Sequence, residues 1–225
     1  MSLQAVDDGL RIGAAELPTV YTSNEAAFAS VLELYARPGM TIADVTFGKG
    51  VFWKNVDRAQ YEVLASDLSG GVDFRALPYA NTSVDMVVLD PPYRYTPATS
   101  RPQEHLDQRY RLTENSPDIT RVQGVVDFYE AGMREAHRVL RHGGFLVVKC
   151  QDTIQDGLQY RTRIELHNRA LKIGFADKDE VIMASGSPGR TRWPIQRHFR
   201  KTHSFFLIFR KGGAYPFGYR ALQPR

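Results

Sequence analysis

The stretch "VDMVVLDPPYRYTP", residues 84–97, decides the fold: an apolar run ends on an acid, two prolines and a tyrosine. The apolar run has the length and composition of a buried strand, and the prolines end it because they lack an amide hydrogen. A buried strand that ends on a carboxylate indicates that something is bound there. In open sheets of parallel strands, ligands bind beyond the carboxyl ends of the strands. The stretch therefore predicts an α/β protein with a binding site at Asp90.

The rest of the chain continues an alternation of helices and strands. Helices are predicted at 24–39, 125–144 and 160–175, and strands at 40–48, 61–69, 83–90, 145–152, 178–185 and 203–211. This order predicts an α/β fold with an open, mostly parallel twisted sheet and helices on both faces. The last two strands have no long helix between them, so we expect an antiparallel pair near the C-terminus.

The composition is that of an ordinary globular protein, with 43% hydrophobic and 24% charged residues in 225. This length favours a single domain, 1–225. No apolar run is long enough to cross a membrane, and no leader pattern precedes the first helix. With one cysteine, Cys150, and six histidines without metal-ligand spacing, neither a disulfide nor a metal is predicted. We expect a cytoplasmic protein without a membrane partner.

The charge is distributed unevenly around a net value of +4. The C-terminal segment 181–225 carries nine basic residues and no acidic ones, whereas residues 1–180 are acidic overall. Such a basic segment predicts a surface that faces a polyanion such as nucleic acid. Arg197, Arg200 and Lys201 are its candidate contacts. A polar, proline-containing loop at about 94–123 follows the predicted site directly, and loops of this length are often functional.

Two further acids are expected at the same edge as Asp90. The motif "DVTFGKG", Asp44–Gly50, ends one strand and allows a sharp turn with close backbone approach to a ligand. Asp67 ends the next strand, where nucleotide-type sites place an acid that binds ribose hydroxyls. The third glycine of a phosphate-binding loop is absent, which favours an adenosyl ligand without a phosphate. Asp73 and Phe74 follow as candidates for contact with its adenine ring.

The chemistry predicted for Asp90–Tyr93 is recognition of an amino group. A carboxylate beside the outward carbonyl of Pro91, in a segment stiffened by Pro92, forms an acceptor pair for the two hydrogens of an exocyclic amine. Tyr93 offers a ring for stacking on the base that carries this amine. Lys149, at the end of a later strand, is interpreted as structural or as a distant neighbour of the cofactor.

The glycine motif followed by Asp90-Pro91-Pro92-Tyr93 resembles the DNA amino-methyltransferases, particularly the adenine-N6 members with a DPPY motif. The resemblance implies a class I, Rossmann-like methyltransferase domain, S-adenosylmethionine as cofactor and methylation of adenine in DNA, with base flipping. It implies catalytic roles for the DPPY residues and substrate contacts by Arg94 and Tyr95 in the loop. The cofactor residues that it implies are Tyr21, Asp44, Thr46, Gly48, Gly50, Asp67, Asp73 and Phe74. Thr46 departs from the phenylalanine usual in that family.

Three alternatives remain open from the sequence. The substrate could be RNA, or the amino group of cytosine, because little of the chain is left to read a long DNA site. A third alternative is a nucleic-acid-binding protein that has lost catalysis. No oligomeric state is predicted.

Overall fold

The computed structural model describes residues 17–91, 121–184 and 197–212. Its main feature is a seven-stranded sheet made of β1 Val20–Tyr21, β2 Thr41–Asp44, β3 Glu62–Ala65, β4 Val84–Leu89, β5 Leu140–Cys150, β8 Phe175–Ala184 and β9 His203–Lys211. The strands lie in the order β1-β8-β9-β5-β4-β2-β3. All neighbouring strands are parallel except that β9 runs antiparallel to β5 and β8, which confirms the predicted topology.

Helices cover both faces of this sheet. Helix α1, Asn24–Tyr35, begins where the Ser23 side chain accepts a hydrogen bond from the Ala26 amide at 3.2 Å. It packs on one face, called the α1 face, where Phe28 and Phe206 are fully buried. Helices α2, Val122–Val139, and α3, Thr162–Ile173, pack on the opposite α2 face. The three predicted helices are therefore present.

Helix α2 ends earlier than the sequence predicts. The glycine pair expected to end it lies inside β5, which begins directly after the helix at Leu140. Added to Gly144, a Cβ atom would lie 2.7 Å from the Asp85 carbonyl oxygen of β4. The pairing of β4 with β5 also shifts register between Val84 and Met86. The glycine thus allows a close strand approach instead of ending a helix.

The connections after β2 and β3 contain short 3-10 turns in place of long helices. They lie at Val51–Asn55, Arg58–Gln60 and Leu68–Gly70. The first turn buries Phe52 and Trp53, whose rings lie 5.4 and 5.1 Å from that of Phe28. Aromatic packing against α1 therefore covers this part of the sheet without another α-helix.

A two-stranded hairpin after β5 forms a second, separate sheet. It consists of β6, Thr153–Gln155, and β7, Leu158–Tyr160, which pair antiparallel. Because it follows β5 directly, it lies at the edge formed by the carboxyl ends of the parallel strands, called the carboxyl edge. Among the described residues, no helix is long and apolar enough to cross a membrane.

Candidate active site

Three of the predicted acids lie together at the carboxyl edge. Asp44 is the last residue of β2, which pairs with β3 on one side and β4 on the other. Asp67 follows β3, and Asp90 directly follows β4. These carboxylates lie at one edge because each stands at or just beyond the end of one of three neighbouring parallel strands.

Asp44 is a buried carboxylate held by two donors. It is 2% exposed. The Trp53 indole nitrogen donates to Oδ2 at 2.8 Å, and the Thr46 amide donates to Oδ1 at 3.2 Å. Burial raises the pKa of Asp44 to about 6, although these two hydrogen bonds oppose the rise. A cationic ligand group could relieve the cost of burying this charge.

The glycine loop after Asp44 takes backbone conformations that favour glycine. Gly48 and Gly50 have φ values of +52° and +65°. A Cβ atom on Gly50 would lie 2.8 Å from the Phe47 ring. The Gly48 amide donates to Asp67 Oδ2 at 3.2 Å, so the loop is fastened to the end of the neighbouring strand.

Asp67 organises the turn that follows β3. Its carboxylate accepts from the Ser69 hydroxyl, from the Gly70 amide at 3.0 Å and from the Gly48 amide. Burial opposes its ionisation, yet these hydrogen bonds together hold the pKa of Asp67 below its ordinary value. A carboxylate that stays charged is a suitable acceptor for ribose hydroxyls. That role for Asp67 stays a prediction.

Asp73 and Phe74 follow β3 but interact with residues other than the three acids of the site. Asp73 forms an ion pair with Arg75, with 2.5 Å between Oδ2 and Nη2, and hydrogen bonding to Arg75 lowers its pKa. The Phe74 ring is 5% exposed and meets the Phe128 ring edge-on, with centroids 4.6 Å apart. Phe74 belongs to the core of the α2 face, opposite the face on which Asp44 lies. Their predicted contacts with adenine stay predictions.

Thr46 joins the glycine loop to the Asp90 segment. Its hydroxyl oxygen accepts a hydrogen bond from the Asp90 amide at 2.7 Å. A phenylalanine, usual at this position in the family named above, has no such acceptor. The departure noted in the sequence therefore supplies a direct link between β2 and β4 at the carboxyl edge. Its predicted contact with the cofactor stays a prediction.

Asp90 combines burial with an unused acceptor atom. Its Oδ1 is buried, and the described residues provide no hydrogen-bond partner for it. Burial raises the pKa of Asp90 to about 7; the charge of Lys149 lowers it and that of Asp44 raises it further. Buried polar atoms are nearly always paired, so an unpaired acceptor at a strand end indicates a place for a ligand donor.

The Pro91 carbonyl accepts a hydrogen bond from Tyr129, a residue that the sequence analysis did not predict. The hydroxyl of Tyr129, on α2, shares its one proton between the Lys149 carbonyl oxygen at 2.8 Å and the Pro91 carbonyl oxygen at 3.2 Å. Tyr129 is fully buried. A carbonyl oxygen accepts two hydrogen bonds, so Pro91 keeps one acceptor position. The only signal for Tyr129 in the sequence is its place on the apolar stripe of a helix.

Lys149, interpreted from the sequence as structural or as a distant neighbour of the cofactor, lies at the candidate site beside the strand that Asp90 follows. It is 5% exposed and lies at the end of β5, beside β4. Its ammonium nitrogen is 5.3 Å from the Phe52 ring centroid and 5.7 Å from that of Phe206. A lysine at a strand end has no distinctive sequence pattern, so this environment becomes visible only in the fold.

The region where β1 meets α1 contributes two further polar atoms. Tyr21 ends β1 and packs against the hydrophobic cluster of the α1 face. Its hydroxyl and the Asn24 side-chain oxygen are buried and have no hydrogen-bond partner among the described residues. With Asp90 Oδ1, three buried polar atoms at the carboxyl ends of strands or the start of α1 await partners. Two acceptor oxygens and one hydroxyl suit a polar ligand with hydrogen-bond donors, such as S-adenosylmethionine, and Asn24 was not predicted.

Two of the predicted nucleic-acid contacts line a cavity beside the hairpin. Arg197 and Lys201 border a cavity of about 360 Å³ together with the 89%-exposed Phe199 and residues of β6 and β7. The Gln151 side chain, just after β5, donates to the Lys201 carbonyl at 3.2 Å. This bond ties the cavity to the carboxyl edge. Arg200 lies in the same described segment.

Several predicted residues lie outside the described part of the chain. They are Pro92, Tyr93, Arg94 and Tyr95, together with loop positions up to 120. Within residues 17–91, 121–184 and 197–212, no group of three acidic, histidine or cysteine side chains is arranged to hold a metal ion.

Comparisons with known proteins identify the family and the fold of the chain. A family model described as DNA methylase matches residues 84–225. No curated protein matches the chain. TrmN from Thermus thermophilus has a TM-score of 0.51 at 19% identity, over 83% of this chain and 48% of that one. TTHA0409 from the same organism, assigned as a DNA modification methylase and solved with S-adenosyl-L-methionine, has a TM-score of 0.44 at 22% identity, over 66% and 55%.

These comparisons bear on the fold and on the length of the chain. The similarity to TrmN is one of fold, and the predicted Rossmann-like fold of class I methyltransferases is confirmed. The chain spans about half the length of TTHA0409 and of TrmN.

Proposed function

The chain belongs to the DNA methylase family, whose cofactor is S-adenosylmethionine, and we propose that it methylates the exocyclic amino nitrogen of adenine in DNA. The observation that carries this proposal is the acceptor pair at the end of β4. The buried Oδ1 of Asp90, which has no partner among the described residues, is followed directly by the Pro91 carbonyl, to which the Tyr129 hydroxyl donates. An exocyclic amino group has two hydrogens, one for each acceptor.

The chemistry of the acceptor pair follows from the electronic structure of the substrate. The lone pair of an aromatic amine is delocalised into its ring, so the nitrogen is a poor nucleophile. Hydrogen bonds to Asp90 and Pro91 favour a pyramidal nitrogen whose lone pair points away from the ring. Bound S-adenosylmethionine supplies an electrophilic methyl group. Positioning of the two reactants then provides much of the acceleration.

The other side chains of the site are assigned to cofactor binding. Asp44, with Gly48 and Gly50, is proposed to hold the methionine half, because a buried carboxylate and a close backbone suit its ammonium group. Asp67 is proposed to bind the ribose hydroxyls, and Tyr21 is proposed to lie near the amino-acid end of the cofactor. Support comes from Tyr21 and Asn24, each of which has a buried polar atom without a hydrogen-bond partner among the described residues.

Contact with DNA is assigned to the basic surface beside the site. Arg197 and Lys201 face a cavity large enough for a phosphate or a base, and Phe199 offers an exposed ring for stacking. We propose that a target base in duplex DNA leaves the helix to reach Asp90, since its amino group is otherwise inaccessible. In this proposal residues 94–123 and 181–225 are the substrate-binding parts of one domain.

The test is a methyl-transfer reaction with unmethylated DNA, with RNA and with cofactor, followed by digestion and nucleoside mass spectrometry. N6-methyladenine in DNA is expected, whereas N4-methylcytosine or methylated RNA would replace the proposal with one of its alternatives. A parallel calorimetric titration measures cofactor binding. Cofactor binding without any methylated nucleoside across varied sequences would refute the proposal.

Two alanine variants separate the halves of the site. Asp90→Ala is expected to abolish transfer while cofactor affinity and fold remain intact. Asp44→Ala is expected to weaken cofactor binding itself. An equal loss of cofactor affinity in both variants would show that this division of the site is wrong.

A further inference from the structure

Lys149 is the only buried lysine or arginine among the described residues. Removing an ammonium group from water is costly unless other groups compensate for the lost hydration. The reaction proposed above assigns no role to this charge. Its position nevertheless relates it to the acceptor pair in three ways.

The first relation is sheet register. Leu89 of β4 pairs with Val148 of β5 in parallel, so the next residues, Asp90 and Lys149, are side by side. Side chains alternate along strands. Met86 and Val88 of β4 pack on the α1 face, as does Val147 of β5. Asp90 and Lys149 therefore project toward the same face.

The second relation is the contact of the Lys149 ammonium group with two aromatic rings. Phe206 of β9 is the direct antiparallel partner of Lys149, and Phe52 comes from the turn after the glycine loop. Both rings lie within cation–π distance of Nζ and contact each other with centroids 5.3 Å apart. Phe206 is fully buried and Phe52 nearly so, which restricts the directions in which the lysine can point.

The third relation is charge. The charged groups that act on Asp90 are Asp44 from β2 and Lys149 from β5, with opposite effects. Without a cation on the β5 side, two buried carboxylates at the ends of adjacent strands would repel each other. A protonated Asp90 would offer a hydroxyl donor to an amino group that needs an acceptor.

We propose that Lys149 is a positioning residue whose charge, next to Asp90 on the same face of the sheet, favours the ionised form of Asp90 that accepts from the substrate amino group. The proposal rests on the function proposed above. Lys149 makes and breaks no covalent bond in the reaction. It acts only through its effect on Asp90. A lysine that only filled space between two aromatic rings would not change the titration of Asp90.

The decisive experiment measures that titration directly and needs no substrate. The protein is labelled with ¹³C at the aspartate carboxyl carbon, and the Asp90 signal is assigned by its absence in Asp90→Asn. In Lys149→Met, which keeps the length and apolar stem of the side chain, the pKa of Asp90 is expected to rise by about one unit or more. Lys149→Arg is expected to keep it near the wild-type value.

A matched control is Lys172→Met, the same chemical change on the exposed surface of α3. It should leave the titration of Asp90 unchanged. Circular dichroism establishes that each variant is folded, and Lys149→Gln replaces Lys149→Met if the latter does not fold. An Asp90 pKa that is the same in wild type and the charge-removing variant overturns the proposal.

The pH profile of methyl transfer is the second readout. Lys149→Met should shift the acidic limb of the profile to higher pH by as many units as the pKa of Asp90 rises. Activity should recover above that pH. A uniform loss at every pH with an unmoved limb contradicts the proposal. If the wild type transfers no methyl group to any nucleic acid, the proposed function fails, while the carboxyl titration still decides whether Lys149 controls Asp90.

Discussion

Asp90→Asn is expected to stabilise the folded protein at neutral and alkaline pH, although Asp90 is the central residue of the proposed site. The pKa of Asp90 is raised from 3.8 to about 7, mainly by burial. Between these values the folded protein holds a proton that the unfolded chain has released. Stability therefore falls as the pH rises through this window. Asparagine has nearly the same shape and no charge, so it avoids this loss.

The magnitude follows from the shift of about three pKa units. Each unit corresponds to about 1.4 kcal/mol, so the gain in the free energy of unfolding is about 4 kcal/mol at pH 8. At pH 5 it falls to about 2 kcal/mol, because the carboxyl of the folded protein is then neutral. For a domain of this size the gain at pH 8 raises Tm by roughly 10 °C.

The assay is urea or thermal denaturation of wild type and variant, followed by circular dichroism, at pH 5 and pH 8 and, for the control, also below pH 4. The control, Asp67→Asn, should have the opposite effect, since hydrogen bonds lower the pKa of Asp67 in the folded protein. That variant should lose stability at pH 8 and lose less as the pH falls below 4, where the Asp67 carboxylate becomes protonated in the unfolded chain before it does in the folded protein. A stabilisation by Asp90→Asn that is equal at pH 5 and pH 8, or a destabilisation at pH 8, would refute the reasoning.

Three other substitutions test separate parts of the site. Tyr129→Phe should cost about 1 kcal/mol of stability and lower kcat at unchanged cofactor affinity, because the Pro91 carbonyl loses its donor; a normal kcat would show that the carbonyl needs no such support. Gly50→Ala should cost about 1–2 kcal/mol, given its φ of +65° and the nearby Phe47 ring, and should weaken cofactor binding in calorimetry; an unchanged Kd would mean that the loop does not approach the cofactor. Arg197→Ala with Lys201→Ala should reduce the dependence of log Kd for DNA on log salt by about two units, with cofactor affinity unchanged; an unaltered salt slope would place the phosphate contacts elsewhere.

Much of the fold could be predicted because its signals are local. The strand at Val84–Leu89 has an apolar run that proline ends, and α1 has a serine cap and a following proline. The error at the end of α2 arose where a long-range contact outweighed a local rule. Gly143 and Gly144 have the composition of a helix cap, yet Gly144 is required where β4 approaches closely and Gly143 where φ is +83°.

The candidate site divides in the same way. Asp44, Asp67 and Asp90 could be found from the sequence because each acid comes at the end of an apolar strand. Phe74 shows the limit of this approach, since its ring is packed under α2 on the other face of the sheet. The position of a loop residue in the sequence does not specify which face of the sheet its side chain packs against.

The sequence by itself predicted most of the order of strands and helices and the carboxylates at the strand ends, but not the short strands β1, β6 and β7. Only the tertiary structure decided what surrounds the carboxylates: Trp53 on Asp44, Thr46 on the Asp90 amide, and Lys149 with Tyr129 beside the end of β4. The physical reason is that pairing of strands distant in the chain brings these groups together. Their burial then sets the pKa of Asp90, which no pattern of neighbouring residues encodes.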